Sequence, residues 1–479
     1  MDIGKQVVSS LKWVAVAKFI GQICTWAITI FVIRLLEPED YGLLALAVAV
    51  MGLATLVNEM GLGSVIVQKT KLARHIIEKI LGLLIVVNLV FYIAIYFSAP
   101  YIASFFEEPS LAKVLQIVGI ELLLGAFVVI PDSILTRDMK FKYIAVIGFI
   151  RAISASLATL ILALLDYGVW ALVLGNIFGV IVQGIALNLT VRQWYMPSFN
   201  FTGIRKEISF GGLVTTDRIL WYLYSESDTF IIGKFLGKEL LGIYTVARQL
   251  AALPSAKIAQ VLSDIAFSAF SRIQEDGERV TRYFLKSVRV MSFVSFAIFI
   301  GIASVASEIV HVFLGEKWLQ TILPLQLLST ALSLRMLESV IPSALMGLGR
   351  PDINVKNQMI ACVIMPLGVF VGVNWGLKGV CIAWVLVYSI YFLIMLYRSL
   401  PVLGVSVSRY LTTISGAAIS SIAMYLAIFL MRGVLDSYSA TMLTKLIILV
   451  PTGAIVYLSM TLMIQRHILF EIRELVRPA

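Results

Sequence analysis

Apolar runs of about 20 residues, separated by short polar turns, recur along nearly the whole chain. At the rise of an α-helix, a run of that length crosses the roughly 30 Å hydrocarbon core of a bilayer. The pattern predicts about fourteen membrane helices. Six lie near 13–35, 41–67, 80–97, 114–134, 143–165 and 169–191. Six more lie near 208–235, 240–270, 288–306, 322–348, 355–375 and 380–400, and two follow near 411–431 and 442–464. No connection is long enough for a separate soluble domain, so any binding chemistry has to sit within the bilayer or just outside it. Six is an even number, so the second set enters from the same side as the first. This gives parallel repeats about an axis along the membrane normal. The expected organisation is all-α and polytopic: an N-terminal lobe over 1–200, a second lobe over 201–402, and two further helices with a tail over 403–479.

Three short matches support the duplication. Residues 34–42, RLLEPEDYG, align without gaps with 234–242, KFLGKELLG. Residues 105–115 align with 313–323, and Val129-Ile130-Pro131 recurs as Val340-Ile341-Pro342 before a basic loop. Each match is weak alone, because turns favour Gly, Glu and Pro everywhere. The matches occur in the same order in both halves, which favours duplication.

Composition agrees with a bilayer as solvent: 60% of residues are hydrophobic, only 14% are charged, and the mean hydropathy is +0.95. The first apolar run is too long for a cleavable leader and has no small-x-small site after it, so it is expected to remain as a span. The net charge of +10 does not indicate nucleic acid, because the basic residues are spread over short loops. With alternate loops on opposite sides, roughly 24 Lys and Arg fall on the side of the termini and roughly 8 on the other. Both termini are therefore expected in the cytoplasm. Turns on the opposite side, such as Glu37-Pro38-Glu39-Asp40, are acidic or neutral. Cys24, Cys362 and Cys381 lie in apolar segments and read as small buried hydrophobes. The histidines His75, His311 and His467 have no metal-binding spacing, and no cofactor is expected.

Charged groups inside membrane spans are costly and tend to face a protein interior or a watery cavity. Lys18, Gln22, Thr25 and Thr29 form one polar stripe on the first helix. Glu59 closes the second helix, and Arg151 lies within the fifth. The seventh carries Asp217, with Arg218 beside it, and Asp228 about three turns on. The eighth carries Arg248 and Lys257 with Pro254 between them. In the tenth, Arg335 and Glu338 stand at i and i+3, where they can neutralise each other. The cations outnumber what local acids neutralise, so an anionic cargo is expected, and phosphate suits Arg and Lys. Lys18, Gln22, Arg151, Arg218, Arg248, Lys257 and Arg335 are the candidate contacts to such an anion. Glu59, Asp217, Asp228 and Glu338 are the candidates for ion coupling or gating. No Gly-x-x-x-x-Gly-Lys loop is present, which leaves a proton or sodium gradient or the membrane potential as power source.

The stretch LEPEDYGL at 36–43, then Asn58-Glu59-Met60-Gly61 and Val67-Gln68, resembles polysaccharide-transport flippases of the Wzx type. Arg272-Ile273-Gln274-Glu275-Asp276, Phe313-Leu314-Gly315-Glu316-Lys317-Trp318 and Gly349-Arg350-Pro351-Asp352 resemble the WzxC-like branch. The resemblance covers nearly the whole chain. Glu59 stands where that family usually has Asp, and Ser268 where it usually has Pro. The resemblance implies the fold of the multidrug/oligosaccharidyl-lipid/polysaccharide exporter (MOP) superfamily, a cationic cavity, and no enzymatic activity. It also implies an undecaprenyl-diphosphate-linked oligosaccharide as cargo, moved across the bacterial inner membrane by alternating access for surface polysaccharide synthesis, with a glycan polymerase and export machinery as partners. Two alternatives stay open. A drug exporter of the same superfamily favours a more acidic cavity, and a membrane glycan polymerase or transferase needs converging acids or bases in an outer loop.

Overall fold

The computed structural model describes residues 24–59, 66–67, 74–192, 195–200, 202, 222–253, 270–271, 273–466 and 468. These residues are overwhelmingly helical. In chain order the main helices are α1 (Cys24–Leu35), α2 (Pro38–Glu59), α3 (Arg74–Phe105), α4 (Ser110–Val118), α5 (Ile120–Arg137), α6 (Phe141–Leu164), α7 (Val169–Val191), α8 (Ser227–Phe235) and α9 (Gly237–Ala252). They continue with α10 (Gly277–Ser304), α11 (Ile322–Glu338), α12 (Val340–Gly347), α13 (Pro351–Gly372), α14 (Gly376–Ser399), α15 (Val407–Ser437) and α16 (Met442–Ile464). Eight stretches among the described residues are long and apolar enough to cross a bilayer, and two of them, Ser110–Arg137 and Pro351–Leu403, each hold two successive helices. The chain is a multi-pass membrane protein. Two compact units form, Met1–Gly242 and Ile243–Ala479.

Local chemistry sets the helix ends. Pro38 starts α2, where its missing N–H costs nothing, and Glu39 and Asp40 occupy the positive end of the helix dipole. Asp276 caps α10 by accepting from the Arg279 N–H at 3.0 Å, and Ser406 caps α15 from the Arg409 N–H at 3.2 Å. α10 starts at Gly277, earlier than the expected 288, so basic residues read as a loop lie on a helix. The span expected at 322–348 is divided at Ser339 into α11 and α12.

In the first unit, α6 and α7 pack at close range because Gly175 and Gly179, one turn apart, face Thr159 and Ala155. The outer face of α6 is a row of exposed apolar side chains, among them Phe149, Leu157, Ile161 and Leu164. Such a face is stable in lipid, not in water. In the second unit, Gly368 and Gly372 bring α13 equally close to Val387 and Gly379 of α14. Met424 and Ile428 of α15 form a core with Leu449 and Tyr457 of α16. Beside it Arg432 holds Glu308 in a two-pronged pair, Nε to Oε1 at 2.7 Å and Nη2 to Oε2 at 2.9 Å. Glu308 is 1% exposed, so its charge is tolerable only with that partner.

The turns reproduce the duplication. After α5 the N–H groups of Asp138, Met139 and Lys140 bond to the carbonyls of Ile134, Thr136 and Leu135. After α12 those of Leu348, Gly349 and Arg350 bond to Ala344, Met346 and Leu345. The central residue has positive φ in both, +55° at Met139 and +68° at Gly349. Glycine at a positive φ likewise marks the starts of α7, which Gly168 precedes, and of α14, which Gly376 opens.

Candidate functional site

The clearest meeting of repeat-related residues is at the starts of α2 and α9, both within the first unit. A Cβ on Gly42 would fall 1.7 Å from the carbonyl oxygen of Lys238, and a Cβ on Gly242 would fall 1.7 Å from that of Pro38. The nitrogen opposite each glycine is at 3.0 Å in both cases. Residues 200 positions apart therefore meet about a local two-fold, backbone against backbone, and only glycine allows that approach. These are the segments that align at 34–42 and 234–242.

Charges ring this contact. Lys238 Nζ lies 3.2 Å from Glu39 and 3.1 Å from Glu108. Lys234 Nζ donates to Glu107 at 2.7 Å and sits 5.2 Å from the centre of the Phe105 ring. Lys234, hydrogen-bonded to it, holds the Glu107 carboxyl below the usual carboxylate range. Below the contact the Tyr222 hydroxyl donates to the Ala49 carbonyl at 2.9 Å, in the space left by Gly52. Near the same end Asp228 is fully buried in the first turn of α8. It accepts from the Thr229 N–H at 2.7 Å.

A second polar group lies deeper in the first unit. Arg151 of α6 is within electrostatic reach of Glu121 on α5, whose carboxylate accepts from Asn176 Nδ2 of α7 at 2.8 Å. On α1, Thr29 turns its hydroxyl back to the Thr25 carbonyl at 2.8 Å.

In the second unit Arg335 and Glu338 stand within electrostatic reach of each other, and the carboxylate has further partners on α14. Glu338 accepts from the hydroxyl of Tyr391 at 3.0 Å and from that of Tyr388 at shorter range. The Arg335 guanidinium lies 5.9 Å from the Trp384 ring centre, still within electrostatic reach of the carboxylate. Trp384, Tyr388 and Tyr391 stand at i, i+4 and i+7 on one face of α14. That stripe is readable in sequence as a polar aromatic face; what sequence does not show is that it meets α11. Asn357, buried, donates to the Ser399 hydroxyl and accepts from Arg398, each at 3.0 Å. Arg248 lies 5.9 Å from the Tyr244 ring centre. Each described candidate cation thus stands in its own setting: Arg151 by Glu121, Arg248 by Tyr244, Arg335 by Trp384. Lys18, Gln22, Asp217, Arg218 and Lys257 lie outside the described residues, as does the Glu59 side chain. Among the described residues no group of His, Cys, Asp and Glu has a metal-binding arrangement.

Comparison with known proteins agrees with the helical architecture. The lipopolysaccharide biosynthesis protein WzxC of Escherichia coli (strain K12) is 26% identical over 427 residues, covering 86% of this chain and 85% of its own. Among solved structures, the lipid II flippase MurJ in an inward closed conformation matches with a TM-score of 0.76 at 17% identity, covering 95% of this chain and 99% of its own. An inward-facing multidrug resistance MATE family transporter of the MOP superfamily matches with a TM-score of 0.62 at 16% identity, covering 78% and 93%. The fold is that of these transporters. A family described as polysaccharide biosynthesis protein matches residues 31–323; with well over half of its length matched, the chain belongs to the polysaccharide biosynthesis protein family.

Proposed function

We propose that this protein is a flippase that carries an undecaprenyl-diphosphate-linked oligosaccharide across the bacterial inner membrane by alternating access. The observation that carries the reading is the two-fold contact at Gly42 and Gly242. A duplicated, lipid-embedded helical protein whose repeats meet through a glycine-thin, charge-ringed joint has a place that can close and reopen without remaking a core. The membership in a polysaccharide biosynthesis family, and the name of its E. coli relative, support a glycan cargo over a drug. The charge pattern of the loops supports a cytoplasmic location for both termini, which puts the Gly42 contact on the outer face. Arg151, Arg248 and Arg335, with Lys18, Gln22, Arg218 and Lys257, are the proposed contacts to diphosphate and sugar. The lipid tail stays in the bilayer while the glycan crosses shielded from hydrocarbon. Glu338, with Glu59, Asp217 and Asp228, is proposed to couple the cycle to protons or sodium. A glycan polymerase is the natural recipient of the product.

The test is reconstitution of the purified chain in vesicles holding a labelled lipid-linked oligosaccharide in one leaflet. The expected result is movement of intact label to the other leaflet at a rate proportional to protein, and none in empty vesicles. Chemical alteration of the oligosaccharide, or no movement, contradicts the reading.

A further inference from the structure

At one end of the second unit a large cavity opens among α10, the turn before α15, and the start of α15. Its volume is about 1510 Å³, and its lining includes Arg282, Lys286, Arg289 and Arg409. The first three stand at i, i+4 and i+7 on α10, so one helical face presents all of them. An adjoining cavity of about 420 Å³ shares Arg289 and Arg409 and adds Arg466, with Thr412, Thr413 and Gln465. Glu275, Asp276 and Glu278 line the larger cavity too, but all three belong to the beginning of α10 and its cap. Asp276 is already engaged by Arg279, at 3.2 Å. Lys286 and Arg289 lie one to two turns further along and are partly buried. No carboxylate among the described residues pairs with Arg282 or Arg409. Apolar Leu285, Leu348 and Leu403 also line the larger space.

Among the described lining residues five cations stand against three acids, the acids gathered at one end, and the inner part of this space is a basic chamber with hydrocarbon walls. A soluble anion would meet only the charge, whereas a lipid phosphate satisfies both the charge and the walls. The volume is too large for one phosphate oxyanion and suits a headgroup with two phosphates or a phosphodiester with its glycerol. We infer that this chamber binds the phosphate headgroup of a membrane lipid, with Arg289 and Arg409, shared by both cavities, as its central contacts. Basic pockets between membrane helices are recognised sites for such headgroups, and guanidinium groups bind phosphate oxygens in two-pronged fashion. The site is independent of whether the protein transports anything, because its readout is binding.

The experiment measures binding of lipids to the full-length detergent-solubilised protein by thermal shift and native mass spectrometry. The probes are a polyprenyl diphosphate, cardiolipin, phosphatidylcholine and inorganic pyrophosphate. The inference predicts that polyprenyl diphosphate or cardiolipin binds, that binding weakens as salt rises, and that phosphatidylcholine adds nothing. Arg289→Gln with Arg409→Gln should weaken it at least roughly tenfold, and Arg289→Lys with Arg409→Lys should restore part of it. Preference for the polyprenyl diphosphate identifies the chamber as a docking place for cargo; preference for cardiolipin identifies it as a phospholipid site. Arg409→Gln alone, at an exposed position, serves if the double variant loses its gel-filtration profile. Equal binding of the charged lipids by wild type and both glutamine variants overturns the inference, as does pyrophosphate binding as tightly as either lipid.

Discussion

Replacing Gly42 by leucine is expected to abolish transport while the protein still inserts and folds. A side chain there meets the Lys238 carbonyl carbon at 2.6 Å and its oxygen at 1.7 Å. Backbone atoms cannot swing aside as a flexible side chain can, so α2 and α9 must separate. Overpacking of this kind costs about 3 kcal/mol at the upper end of its usual range, which lowers the closed population by roughly a hundredfold. Gly242→Leu should do the same, because the joint is two-fold. Gly148, with open space around it, gives the control: Gly148→Ala should leave the rate unchanged. Transport in vesicles, with a Glu39→Cys reporter for labelling by an impermeant thiol reagent, reads both halves of the expectation. Full activity in Gly42→Leu would remove this contact from the cycle. Acidity should weaken the same joint. The Glu107 carboxyl has its pKa held below the ordinary value by Lys234, so its contribution is complete above the ordinary carboxylate range and is lost as pH falls through the depressed value. Reporter labelling, normalised at each pH to that of a free thiol whose thiolate fraction falls in the same way, should therefore rise on strong acidification and stay flat around neutral pH.

The second large effect is expected at Glu338. A tenfold gradient of protons or sodium is worth about 1.4 kcal/mol per ion, or tenfold in accumulation of a coupled cargo. Wild-type protein should reach that ratio in vesicles under one of the two gradients, whereas Glu338→Gln should only equilibrate the cargo. Tyr388→Phe with Tyr391→Phe removes both hydroxyl donors to the carboxylate. Each charge-assisted bond contributes about 1.5–3 kcal/mol, so the double variant should also lose much of its gradient response. An undiminished response in Glu338→Gln would show that coupling resides elsewhere.

Much of this architecture was legible in the chain because bilayers impose simple rules on it. Apolar length marked the helices, and the parallel turn chemistry at Met139 and Gly349 followed the recurring Val-Ile-Pro that precedes it. The alignment of 34–42 with 234–242 signalled duplication, yet it gave no hint that the two segments touch. Periodicity describes one helix at a time, and the partner of a residue belongs to packing. Arg335 and Glu338 illustrate this: spacing offered a local pair, and gave no sign that the tyrosines of α14 also reach the carboxylate. The basic chamber was hidden for another reason. Positive residues between 272 and 289 satisfy the topology rule as a loop, whereas α10 in fact begins at Gly277 and stacks three of them on one face.

The cycle itself is tested most directly by tying the Gly42 joint shut. In a chain with Cys24, Cys362 and Cys381 changed to serine, Glu39→Cys and Lys238→Cys can be bridged by a short thiol cross-linker, since the native side chains meet at 3.2 Å. Bridged protein in vesicles should fail to move labelled lipid-linked oligosaccharide and should recover when a cleavable linker is cut. Movement at the unbridged rate with the link intact would contradict alternating access through this joint.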